Sequence, residues 1–127
     1  MSRLLTIARY TLGVALVVFG LNGFLNFIPM PPPPAAGGKF LGALVGTGYL
    51  MMLVKIIEIV VGVALLANRF VPLALIVLAP ISVNIVLYHA VFDPAGGAGG
   101  FLVALLNIFL GYGNLAHYKS LLTARPG

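Results

Sequence analysis

Two side chains in this sequence combine a chemically able type with an unusual setting. Lys55 and Glu58 stand inside Tyr49–Asn68, YLMMLVKIIEIVVGVALLAN, a stretch otherwise almost wholly apolar. About 20 such residues are what a helix needs to cross a ~30 Å hydrocarbon core. A charge at the centre of that core costs about 2.5–3.5 kcal/mol on insertion scales. At a spacing of i, i+3 the two side chains share one helix face, so each can neutralise the other. An ammonium and a carboxylate held in this way can exchange a proton with a bound ligand. Charged groups placed inside a membrane mark a functional site by default.

Composition sets the environment in which the pair must work. Of 127 residues, 61% are hydrophobic and only 7% charged, against about 25% charged in a typical soluble domain. The fold class expected is all-α integral membrane. The absence of cysteine excludes structural disulfides, thiol redox chemistry and thiolate metal sites. The net charge of +5 comes from scattered basic residues, most at the ends of apolar runs. That pattern orients a membrane protein and gives no reason to expect nucleic acid as a partner. The first apolar run is too long for a signal-peptide core and leads into no small-residue cleavage site, so it should remain as a helix.

The elements that would position the pair follow in order. A basic lead with Arg3 and Arg9 precedes a first span over about 10–28. Its Gly13, Gly20 and Gly23 read as a packing face, since small residues let membrane helices approach closely. Pro29 and Pro31–Pro34 then break the helix, because proline lacks the donor and disfavours helical geometry before it. Within about 29–47 a short interfacial, extracytoplasmic helix over Lys39–Thr47 follows the proline run, too short to span. The second span is about 49–67 and the third about 71–92, with Pro72 in its first turn and Pro80 mid-span. A glycine-rich loop from Asp93 to Gly100 leads into a fourth span over about 101–118. The whole chain thus reads as one four-transmembrane-helix bundle. With both termini cytoplasmic, Arg3, Arg9, Arg69, Lys119 and Arg125 lie inside, and Lys39 lies outside with Asp93.

Depth places further polar side chains near the pair. At 1.5 Å per residue, Asn22, Lys55, Glu58, Asn84 and Asn107 all fall roughly 9–13 Å below the outer helix ends. Asn26, Tyr88 and His89 lie above that layer, towards the proline loop. Two readings stay open. In one, the layer is a self-satisfying network that fixes helix packing. In the other, these eight residues line an externally open pocket for a small polar or amphipathic ligand. No metal site is expected, because His89 and His117 fall at opposite faces and one Glu with one His makes a poor donor set. The same separation argues against a haem pair. There is no phosphate-binding glycine loop and no serine nucleophile with an aligned base.

The segments FGLNGFLNFIPMPPPP and GGKFLGALVGTGYLMMLVKIIEIVVGVALL, with HAVFD at the end of the third span, resemble the DoxX family of small four-helix bacterial membrane proteins. The resemblance extends over nearly the whole chain. It implies a bacterial inner-membrane location and a short extracytoplasmic helix after the first span. It also implies association with quinone-connected oxidoreductases or with complexes that protect against oxidative stress. Lys55 and Glu58 carry the motif, with Asn22 and Asn84 as neighbours. The function expected is a ligand-binding membrane subunit that takes a quinone-like or other small amphipathic molecule beside a separate oxidoreductase, and not a stand-alone enzyme. No intrinsic cofactor is expected, only a bound quinone or lipid. The alternatives are a non-catalytic scaffold or assembly factor, and a homo-oligomeric small transporter.

Overall fold

The computed structural model describes residues 2–125, which are helical with no strand among them. Five α-helices form in order: α1 over Ser2–Leu25, α2 over Ala35–Gly46, α3 over Leu50–Ala67, α4 over Val71–Phe92 and α5 over Ala98–Gly113. A 3₁₀ turn at Pro94–Gly96 precedes α5, and a 3₁₀ segment, Leu115–Leu122, follows it. Three of the helices, α1, α3 and α4, are long and apolar enough to cross a membrane. The number rises to four if α5 and the 3₁₀ segment, bent by 80° from each other, count together.

Several boundaries differ from the sequence expectation. Helix α1 ends at Leu25 and not near 28, and α2 begins at Ala35, as soon as the proline run ends, and not at Lys39. Helix α5 begins at Ala98, inside the glycine-rich stretch. The basic lead is helical, with α1 starting at Ser2, because nothing in Ser2–Arg9 breaks a helix. The last helix stops at Gly113 and does not run straight to Tyr118. There the Asn114 carboxamide donates to the Leu110 carbonyl at 2.8 Å, and the chain turns.

In the bundle α1 packs on α3 and α5, and α4 packs on the same two helices, closing a four-membered ring. Leu12, Leu16, Leu65, Leu75, Leu78 and Leu110 fill its centre. The exterior is apolar as well, with Val14, Val60, Ile76, Leu87, Leu105 and Ile108 exposed. A helix that is hydrophobic on all sides belongs in a large core or in a membrane. An apolar surface this extensive on a chain of this size fits a lipid environment.

The tightest junction is between α1 and α3. A Cβ on Gly62 would come within 2.9 Å of the Gly13 carbonyl oxygen, and one on Gly13 within 3.1 Å of the Gly62 carbonyl oxygen. Gly20 and Gly23 continue the seam, facing Ile59 and Lys55. At one end of it Arg9 donates to the Leu65 carbonyl, one of the orphan acceptors in the last turn of α3. The same guanidinium lies 4.5 Å above the Tyr10 ring centre. Asn68 ends α3 in the left-handed conformation, with φ of 55°. The N–H groups of Asn68 and Arg69 return to the carbonyls of Leu65 and Ala64, the pattern of a Schellman turn.

Candidate functional site

The ion pair forms within α3. Lys55 Nζ lies 3.4 Å from Glu58 Oε2, with the Lys55 side chain 25% exposed and that of Glu58 only 6%. The two point differently because three helical residues turn the chain by about 300°. Glu58 falls in line with Gly62 and Leu65 on the buried face, whereas Lys55 lies on the seam with α1. The seam is passable because Gly23 has no side chain. A Cβ there would meet the Lys55 methylenes at 2.7 Å. The stem of Lys55 is therefore packed against α1 at Gly23, and the side chain as a whole stays part-exposed.

The remaining polar residues do not converge on the pair. The Asn22 carboxamide turns to the loop after α1, accepting from the Ile28 N–H at 2.7 Å and donating to the Ile28 carbonyl at 3.3 Å. Asn26 is exposed and left-handed, with φ of 51°, and its N–H bonds the Asn22 carbonyl at 2.9 Å. Both asparagines therefore end a helix. Asn84 faces outwards and donates to the Pro80 carbonyl of its own helix at 2.8 Å. Asn107 is buried and bridges α5 to α4, accepting from Ser82 Oγ at 2.9 Å and donating to the Leu75 carbonyl at 3.3 Å.

Ser82 was not singled out from the sequence. Its signal was available, as a hydroxyl inside an apolar span facing a helix that carries a buried carboxamide. Replacing Ser82 with alanine removes one partner of Asn107. The expected loss is about 0.6 kcal/mol, within an upper bound of about 1.7 for interhelical polar contacts in membranes. Reversible unfolding in mixed micelles would measure it, and a loss beyond that bound would mean that the pair does more than pack helices.

Tyr88 and His89 belong to a separate cluster at the end of α4. Tyr88 and Phe92 pack with Phe40 of α2, the ring centres 5.8 and 5.6 Å from that of Phe40. Gly37 seats α2 against them, since a Cβ there would lie 2.7 Å from the Tyr88 hydroxyl. His89 stands edge-on to Tyr88 at 5.0 Å, and its Nδ1 lies 3.2 Å from the Asp93 carbonyl. A carbonyl only accepts, so Nδ1 is the donor in this contact. The cluster fastens α2 to the end of α4. Asp93 caps the turn beyond it, accepting from the Gly96 N–H at 3.2 Å.

No group of three metal-ligating side chains occurs among the described residues. The chain matches no known protein family, no characterised relative and no solved structure.

Proposed function

We propose that the chain is a four-span inner-membrane protein of the DoxX kind that binds a small amphipathic, quinone-like ligand at Lys55 and Glu58. In this reading α2 lies over the extracytoplasmic end, beside Lys39 and Asp93. Both termini and Arg69 are then cytoplasmic, in keeping with the bias of basic residues.

One observation carries the reading. A carboxylate buried in an apolar bundle is met by a single ammonium at 3.4 Å, and that ammonium, with three protons to donate, belongs to a part-exposed side chain. A carbonyl or hydroxyl oxygen of a ligand would suit the unused donors of Lys55, and Glu58 would hold or release the proton that accompanies reduction or oxidation of a quinone. Electron transfer is the chemistry that the quinone supplies when bound, with a separate oxidoreductase as the partner. Binding of this sort favours the part-exposed seam, where the aliphatic body of a ligand can remain among lipid chains.

Native mass spectrometry of the detergent-purified protein tests this directly, comparing wild type with Glu58→Gln and Lys55→Met. The expected result is a stoichiometric small molecule in wild type that either variant loses. The same spectrum for all three folded proteins would leave the pair as packing and favour a scaffold. The closure of Asn22, Asn84 and Asn107 on their own surroundings supports that second reading.

A further inference from the structure

The 3₁₀ segment Leu115–Leu122 has no part in the site just described, and its geometry is distinctive. A 3₁₀ helix repeats every three residues, so side chains at i, i+3 and i+6 stand in one row. Here that row is Leu115, Tyr118 and Leu121, while His117 and Ser120 form another, and Lys119 stands beside Leu122 in the third. The segment leaves α5 at 80°, and the Tyr118 hydroxyl donates to the Pro72 carbonyl at 2.8 Å, tying it to the first turn of α4. Under it lies a groove of about 430 Å³, whose other wall is Ile76 and Ile108 and whose floor passes Gly111. The lining is apolar, and Leu121 and Leu122 remain about 70% exposed at its mouth.

Charge at this end has one sign. Lys119 lies on the segment between the lining residues Tyr118 and Leu121, Arg125 lies on the tail just after it, and Arg69 lies at the neighbouring α3–α4 turn. The two acidic residues are elsewhere, Glu58 within α3 and Asp93 at the far end of α4. We propose that this groove is a binding site for an anionic phospholipid, one acyl chain lying along Leu115, Tyr118 and Leu121 and the phosphate meeting Lys119. Apolar area together with one or more basic residues is what holds an in-plane helix and an anionic lipid to each other. The site rests on the membrane reading but not on a ligand at Lys55.

Gly111 supplies the test, because a Cβ there meets nothing within 4 Å. Gly111→Leu places a side chain in the groove from a position where its first carbon is free of contact, and Lys119→Gln removes the cation on the segment. Both variants and wild type are purified from membranes and incubated with equal amounts of phosphatidylglycerol and phosphatidylethanolamine of the same acyl chains. Retained lipid is then counted by native mass spectrometry. Wild type is expected to keep phosphatidylglycerol preferentially, and Gly111→Leu to keep about tenfold less. Lys119→Gln should lose about fivefold of the preference, the value of one basic residue beside an anionic surface. Unchanged retention in a folded Gly111→Leu, or equal retention of the two lipids by wild type, overturns the proposal. So does a dimer that Gly111→Leu abolishes, since a second copy would then occupy the groove. A wild-type chain that does not fractionate with membranes at all would instead overturn the membrane reading.

Discussion

Replacing Gly62 with leucine is expected to force the α1–α3 junction apart and to remove a large part of the protein's stability. The distances leave no room for a side chain of any size. A Cβ would stand 2.9 Å from the Gly13 carbonyl oxygen, 3.0 Å from the Val17 nitrogen and 2.8 Å from Val17 Cγ2. Two of these three are main-chain atoms, which cannot swing aside as a flexible side chain would. The helices must separate, and everything that depends on their contact separates with them. Overpacking of a well-filled interior costs about 1–3 kcal/mol even when neighbours can adjust, and occasionally more. Leucine at a backbone-to-backbone contact belongs at the upper end, about 3 kcal/mol or beyond, out of a total stability on the order of 5–15 kcal/mol. Alanine at the same position should already lower the unfolding temperature in detergent. Gly42→Ala and Gly46→Ala are the controls, because nothing lies within 4 Å of a Cβ at either position. Equal thermal stability of Gly62→Leu and the controls would mean that α1 and α3 do not meet at these glycines.

The α1 side of that junction was legible in the sequence, though Gly62 and the identity of the partner helix were not, and the polar layer was legible only in part. Glycines at 13, 20 and 23 inside an apolar run have one common explanation in a membrane helix, and the three do face α3. The same holds for the third long helix, where the proline in the first turn and the loop at Asp93 mark both ends. Depth along each helix could also be counted, at 1.5 Å per residue. Rotation about the helix axis could not. In a soluble protein a polar face shows which way a helix points, but a helix apolar on all sides offers no such contrast. So Asn84 and Asn107, at similar depths, turned out to face outwards and inwards respectively. Asn22 and Asn26 were misleading in another way. Asparagine suits a helix end as well as a buried network, since it tolerates positive φ and its carboxamide can satisfy loop backbone. The run Asn22–Pro29 held the clue, because a helix about to meet a proline needs such an ending.

Lys55→Met should be the most damaging single change at the ion pair, and Glu58→Gln should rescue most of the loss. Methionine keeps an unbranched apolar stem over Gly23, so the packing seen at the seam is largely preserved and the missing quantity is the charge. It leaves the Glu58 carboxylate, on a side chain only 6% exposed, without its cation. Breaking a buried pair from one side typically costs about 3–5 kcal/mol, and the partial exposure of Lys55 places this pair near about 3. Glu58→Gln alone costs less, about 1 kcal/mol, because the charge left behind sits on a flexible, part-exposed side chain that can turn to the outside. The double variant buries no isolated charge, and removing both members of a buried pair is often close to neutral. Its stability is expected to lie near that of Glu58→Gln, giving a coupling energy of about 2–3 kcal/mol in a double-mutant cycle measured by reversible unfolding in mixed micelles. Additive losses would show that the two charges stabilise the bundle independently, and a 3.4 Å contact would then have little energetic meaning. With the expected coupling, Glu58→Gln also becomes the useful probe of binding, since it alters the carboxylate while leaving the fold nearly intact. A ligand lost in that variant is lost for its chemistry and not for want of a folded bundle.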